Sequence, residues 1–242
     1  MRALRAELIK LVSLPSGWVA LIAGLVIPTG ICVITSLTSQ PGPDTGFSEL
    51  AIGVLGAIVL GVVAIGSEYT TEGEESAGGR QITTTLTAIP SRTRLMIVKI
   101  ITVMIVVAAL AIVAVLLAHT TVHLLLGSQA PDIDGETLAR AGGAVAYWVM
   151  MALLGFGLTV LTRNGIVPMA VLVANSSAVT VTFLLAQNFP VANYLPDLAG
   201  MRMFTTLHTS VEINPVAGGF IMAAWVAAML VAAGIVFVRR DA

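Results

Sequence analysis

IITVMIVVAALAIVAVLLAHTTVHLLLGSQAP, residues 100–131, runs for 32 residues without an aspartate, glutamate, lysine or arginine. A bilayer core about 30 Å thick takes about 20 residues of α-helix at 1.5 Å per residue. The stretch is long enough to cross a membrane. From Ile100 to Ala118 and on to Leu126 it is longer than one crossing demands, so it tilts or emerges from the membrane as helix. A barrel strand is excluded, because polar and apolar residues do not alternate and unpaired backbone groups in lipid cost several kcal/mol each.

Five more charge-free stretches flank it, at 11–43, 50–67, 141–162, 164–196 and 213–238. Each holds one span, which places helices at about 17–38, 49–66, 97–120, 142–161, 165–186 and 217–238. The expected fold is all-α and polytopic, with six transmembrane helices in a single domain over residues 1–242. Composition agrees: 57% of residues are hydrophobic, 10% are charged and the mean hydropathy is +0.98. Soluble domains are nearer about 45–50% apolar and about 25% charged.

The basic residues set the expected topology. Arg2, Arg5, Lys10, Arg80, Arg92, Arg94, Lys99, Arg163, Arg239 and Arg240, ten of the twelve, fall on the side that carries both termini, with six acids. The other side has Arg140 and Arg202 with seven acids. The positive-inside rule then puts both termini in the cytoplasm. The formal net charge of −1 conceals this asymmetry, and no basic stripe interleaved with aromatics points to nucleic acid. The opening MRALRAELIK leads into a run too long for a secretory signal and is read as preceding a retained span. Cys32 is the only cysteine, which excludes an intramolecular disulfide or a CxxC metal site.

Residues 2–12 read as an amphipathic helix in the interface plane, with Leu4, Leu8, Leu11 and Val12 on one arc and Arg2, Glu7 and Lys10 mostly on the other. A plain cytoplasmic lead-in to the first span fits as well. Residues 188–216 form the longest external connection, where Leu198, Met201, Phe204 and Leu207 recur every three residues. Short helices on the outer membrane face, or an ordered loop covering the helix ends, both fit. Between the second and third spans runs SEYTTEGEESAGGRQITTTLTAIPSRTRLMIVK, Ser67 to Lys99. Within it Ile82, Leu86 and Ile89 make one apolar edge of a short helix stopped by Pro90, and Ser91 can cap the next helix. Such an edge either docks on a partner or packs back on the bundle or the membrane surface.

Several chemistries are missing. The two lysines, Lys10 and Lys99, are followed by Leu and Ile, so no P-loop forms and ATP is not bound in that way. H-E-x-x-H and G-x-S-x-G are absent. His119 and His123, four apart, would share a helix face, but they lack a third ligand nearby in sequence. The charge-free stretches hold no ionisable residue except these histidines, which disfavours an ion-coupled pump. Thr35 and Ser36 in the first span, and Asn175, Ser176, Ser177, Thr180 and Thr182 in the fifth, are polar at membrane depth. They mark a substrate path or subunit seam, or they pair with neighbouring helices and their own backbone. Gly53, Gly56 and Gly61, with Ala51, Ala57 and Ala64, let some helix approach the second span closely.

With these residues in view, the chain resembles the six-span membrane subunit of type-2 ABC exporters. The carrying residues are Glu68 and Tyr69, Gly79, the run Ile82 to Pro90 (ITTTLTAIP), Arg92 and Lys99, supported by the RAELIKL start and by YLPDLAG, Tyr194 to Gly200. Bacterial, especially actinobacterial, members show a similar E-Y-T, then G and I-R-T-T-L-T-A-x-P, then R and K. The resemblance implies that residues 1–14 are an elbow helix and residues 67–96 a cytoplasmic coupling loop, with helices in the external loop 188–216. It assigns contact with the ATPase to Glu68, Gly79, Arg80, Ile82, Thr84, Leu86, Ile89, Pro90 and Arg92. The chain departs from the pattern by about eight extra residues including Glu72, Glu74 and Glu75, and by Thr83 where the family often has Arg. The insert is either solvated or a further contact with the ATPase.

The resemblance implies a permease of the bacterial plasma membrane that is not an enzyme by itself. It works with an ABC ATPase, a second permease copy or homologue and membrane lipids. This chain is expected to bind no cofactor, with ATP and Mg on the partner. The expected cargo is an amphipathic drug, antibiotic or lipid-like compound. Self-immunity against an antimicrobial peptide is a narrower alternative, and a non-transporting membrane scaffold or sensor is a competitor of another class.

Overall fold

The computed structural model describes residues 2–69, 91–176 and 181–239. Among them all regular structure is helical: α1 (Arg2–Ser13), α2 (Pro15–Thr38), α3 (Ser48–Gly66), α4 (Arg92–Leu126), α5 (Gly135–Thr162), α6 (Ile166–Asn175), α7 (Val181–Asn188), α8 (Pro196–Met201) and α9 (Pro215–Arg239). Local chemistry sets the ends. Pro15 stands in the first turn of α2, where a missing N–H leaves no bond unmade. The expected cap on α4 is present, with Ser91 Oγ accepting from the Arg94 N–H at 3.3 Å. Asp134 caps α5 by accepting from the Thr137 N–H at 2.8 Å, and that bond holds its carboxyl below the usual carboxylate range.

The helices α2, α3, α4, α5 and α9 are each long and apolar enough to cross a membrane. Much of α3 and α5 is buried, whereas α2, α4 and α9 expose Val19, Ile34, Leu116 and Val231 along their outer faces. Helices apolar on all sides with such faces belong to a membrane protein. At the centre α3 is wedged between α2 and α5. A Cβ on Gly56 would strike the Ala20 carbonyl oxygen, one on Gly61 the Ala152 carbonyl oxygen, and one on Gly53 would lie 2.7 Å from the Pro28 and Trp148 side chains. The close approach expected at these glycines is thus made by helices of this same chain. Trp148 adds an indole N–H donated to the Leu50 carbonyl at 3.0 Å.

Two expectations are revised and a third, left open, is decided. The span expected at 165–186 is two helices among the described residues, α6 and α7, of 10 and 8 residues. At 1.5 Å per residue neither crosses about 30 Å by itself. Residues 177–180, between the two, lie outside the described residues, and the Asn175 side-chain oxygen accepts the Thr182 N–H at 3.3 Å. Secondly, α1 turns Glu7 and Lys10 inward, the first buried and the second half-buried, while Arg5, Ile9 and Val12 are exposed. Of the readings left open for residues 188–216, the segment contains the short helix α8, and Leu198 and Phe204 are buried against protein, as an ordered loop over the helix ends requires.

Arg92 Nη1 donates to the Phe237 carbonyl at 3.4 Å, and Glu7 meets Lys99, so α1, the start of α4 and the end of α9 share one end of the bundle. We call it the terminal end. At the opposite end Arg140 of α5 pairs with Asp44 and donates to the carbonyls of Pro43 (2.7 Å) and Phe204 (2.8 Å), pinning two connections to one helix.

Candidate functional site: an ionic cluster at the roots of the 70–90 segment

The chain has two lysines, and the fold brings both together with two glutamates. Lys99 Nζ lies 2.7 Å from Glu7 Oε2 and 2.8 Å from Glu68 Oε1, and donates to the Ala64 carbonyl at 3.1 Å. Lys10 Nζ lies 2.6 Å from Glu68 Oε1. Glu68 and Lys99 are fully buried. An ammonium has three donors, so Lys99 is saturated. Removing ions from water costs several kcal/mol each, and only such a complete set of partners offsets it.

Each member is placed by a different element. Glu68 stands in the 3-10 turn Ser67–Tyr69 that ends α3, Lys99 two turns into α4, and Glu7 and Lys10 one helical step apart on α1. The cluster therefore ties together the residues on either side of the 70–90 segment and fastens both to α1. Beside it a void of about 10 Å³, lined by Glu7, Lys10, Ala64, Ser67 and Thr102 among others, is on the order of one water.

Of the expected ATPase contacts, Glu68 lies in this cluster and Arg92 at the nearby end of α9. Gly79, Arg80, Ile82, Thr84, Leu86, Ile89 and Pro90 lie outside the described residues, as do Ser177 and Thr180. The polar residues expected at membrane depth are held in two separate sets. Thr35 donates to the buried Glu49 at 2.8 Å, and Glu49 also accepts from the Gly46 N–H at 3.0 Å. Asn175 donates to Asp197 at 2.8 Å, and Thr182 donates to the same Asp197 oxygen. The hydroxyls of Ser36 and Ser176 are buried without a partner among the described residues. His119 turns its ring edge to Phe47, at 4.6 Å between centroids, and its Nδ1 pairs with the Val115 carbonyl at 3.0 Å.

Sequence reasoning placed Glu68 in the site but not Glu7, Lys10 or Lys99. Only Lys99 stands near the connection in sequence; Glu7 and Lys10 lie at the start of the chain, and no sequence signal joins them to it. Comparison with known proteins returns no matching family model, no matching curated protein and no matching solved structure.

Proposed function

We propose that this chain is the membrane subunit of an ATP-driven exporter of the type-2 ABC kind, moving an amphipathic compound out of the cytoplasm or the inner leaflet. The support is the resemblance across Glu68 to Lys99 together with one geometric fact, the ionic cluster that joins both roots of that segment to α1. A segment that receives force from an ATPase needs roots that do not slip against the bundle. In this reading the terminal end faces the cytoplasm of a bacterium, and α1 is the elbow. The fifth span is the one carrying α6 and α7, and the apolar edge of Ile82, Leu86 and Ile89 seats in a groove of the ATPase. Two permeases and two ATPases assemble, with ATP and Mg on the ATPases and no catalysis by this chain.

The test is to purify the protein from its native membrane in mild detergent and identify by mass spectrometry what accompanies it. An ATPase is expected with wild type. Leu86→Asp should retain it at least about tenfold less, because a charge on the docking edge is costly to bury. Changing Glu72, Glu74 and Glu75 together to Gln should alter retention little if those acids are solvated. Preparations that stay dimeric yet carry no ATPase would move the scaffold or sensor reading to the front.

A further inference from the structure

Between the opening turns of α5 and α9 and the 202–216 segment lies an open groove of about 1140 Å³. Small-molecule sites run to roughly 300–1,000 Å³, so the space admits a large ligand. Its apolar wall includes Met150, Phe220 and Ala223. That wall is continuous with the lipid-facing side of α9, where Val216 is 67% and Phe220 73% exposed.

The polar side is Arg202, which is only 7% exposed. Its Nη2 shares its two N–H groups among Asn193 Oδ1 at 2.9 Å, Thr209 Oγ1 at 2.6 Å and the Val211 carbonyl at 2.9 Å, all neutral acceptors. Its Nε is buried without a partner, and no carboxylate pairs with it among the described residues. Burial pulls the guanidinium below its ordinary range, with Glu212 acting in the opposite sense. The other charged lining groups do not meet this need: Arg140 is already paired with Asp44, and Glu136 and Glu212 are exposed. His208 also lines the groove. A buried cation served only by neutral oxygens is an unfinished ion pair.

We propose that the groove holds an anionic phospholipid of the surrounding membrane, its phosphate against Arg202 and an acyl chain along Met150, Phe220 and Ala223. The site does not rest on the transport reading, since a scaffold would carry it equally.

The experiment is native mass spectrometry of the full-length protein titrated with phosphatidylglycerol or with phosphatidylcholine of the same chains. Wild type should retain phosphatidylglycerol at least about tenfold better, the scale of a hydrogen bond to a charged group. Arg202→Gln should abolish the preference. Ala223→Trp fills the groove from an exposed position and leaves the bonds of Arg202 intact, and it should reduce retention of both lipids. Equal retention of the two lipids by wild type, or unchanged retention in Ala223→Trp, overturns the site. Displacement by millimolar inorganic phosphate alone would assign Arg202 to a free anion and overturn the lipid. Loss of dimer in Ala223→Trp without loss of lipid would make the groove an interface between copies and overturn it as well.

Discussion

Lys99 concentrates the energetics of the terminal end in one side chain, because all three of its donors are used on Glu7, Glu68 and the Ala64 carbonyl. Lys99→Met strands Glu7 with no counter-charge, and breaking a buried pair in this way costs about 3–5 kcal/mol. The unfolding midpoint in detergent should fall sharply. Glu7→Gln keeps an acceptor for Lys99 and should cost less, about 1–3 kcal/mol. Lys99→Met combined with Glu7→Leu should cost less than the sum of the single changes, because the second removes the charge that the first leaves behind. Strict additivity in that cycle would show that the two groups do not depend on each other. At this scale the sequence was a partial guide. Glu7 and Lys10 look like a hydrophilic helix face because their partners stand 92 and 58 positions away, and no local pattern reveals that. The Ser91 cap and the close contacts at Gly53, Gly56 and Gly61 were legible, because each follows from a short-range rule about the residue itself.

Among the elements, Asp197 ties α6 and α7 to each other. This carboxylate stands in the first turn of α8 and accepts from both Asn175, at the end of α6, and Thr182, at the start of α7. Hydrogen bonds to a charged group contribute about 1.5–3 kcal/mol, so Asp197→Ala should speed hydrogen exchange of the Val181–Asn188 amides at least about tenfold. Asp197→Asn retains one acceptor and should have a smaller effect. Unchanged exchange in both would mean that the joint is held by packing instead. The long helices were legible to within a few residues because hydropathy over a whole span is a strong signal. The end of α6 at Asn175 was not, since Asn175 and Ser176 sit in a run whose mean hydropathy suits one continuous helix. Asp197, which holds Asn175 and Thr182, lies in a connection that reads as external.

For the molecule as a whole, the salt bridge of Glu7 with Lys99 and the contact of Arg92 with Phe237 bring residues near both chain ends to one end of the bundle. Epitope tags added at the two ends should therefore be protected or exposed together when sealed vesicles are probed with protease. One tag cut and the other spared would contradict the fold. Legibility also stops at this scale. The charge asymmetry and span lengths carry the membrane character and the shared side of the termini, whereas the groove beside Arg202 appears only once α5, α9 and the segment between them are assembled.

The ionic cluster also orders events during synthesis. A chain is made from its N-terminus at roughly 5–20 residues per second, so α1 leaves the ribosome well before its partners. Glu7 must wait for Lys99, 92 positions later, and unpaired charges are too costly to bury in the meantime. The charged face of α1 stays in water until α4 has arrived, and α1 closes against the bundle late, as a latch does on a door already shut.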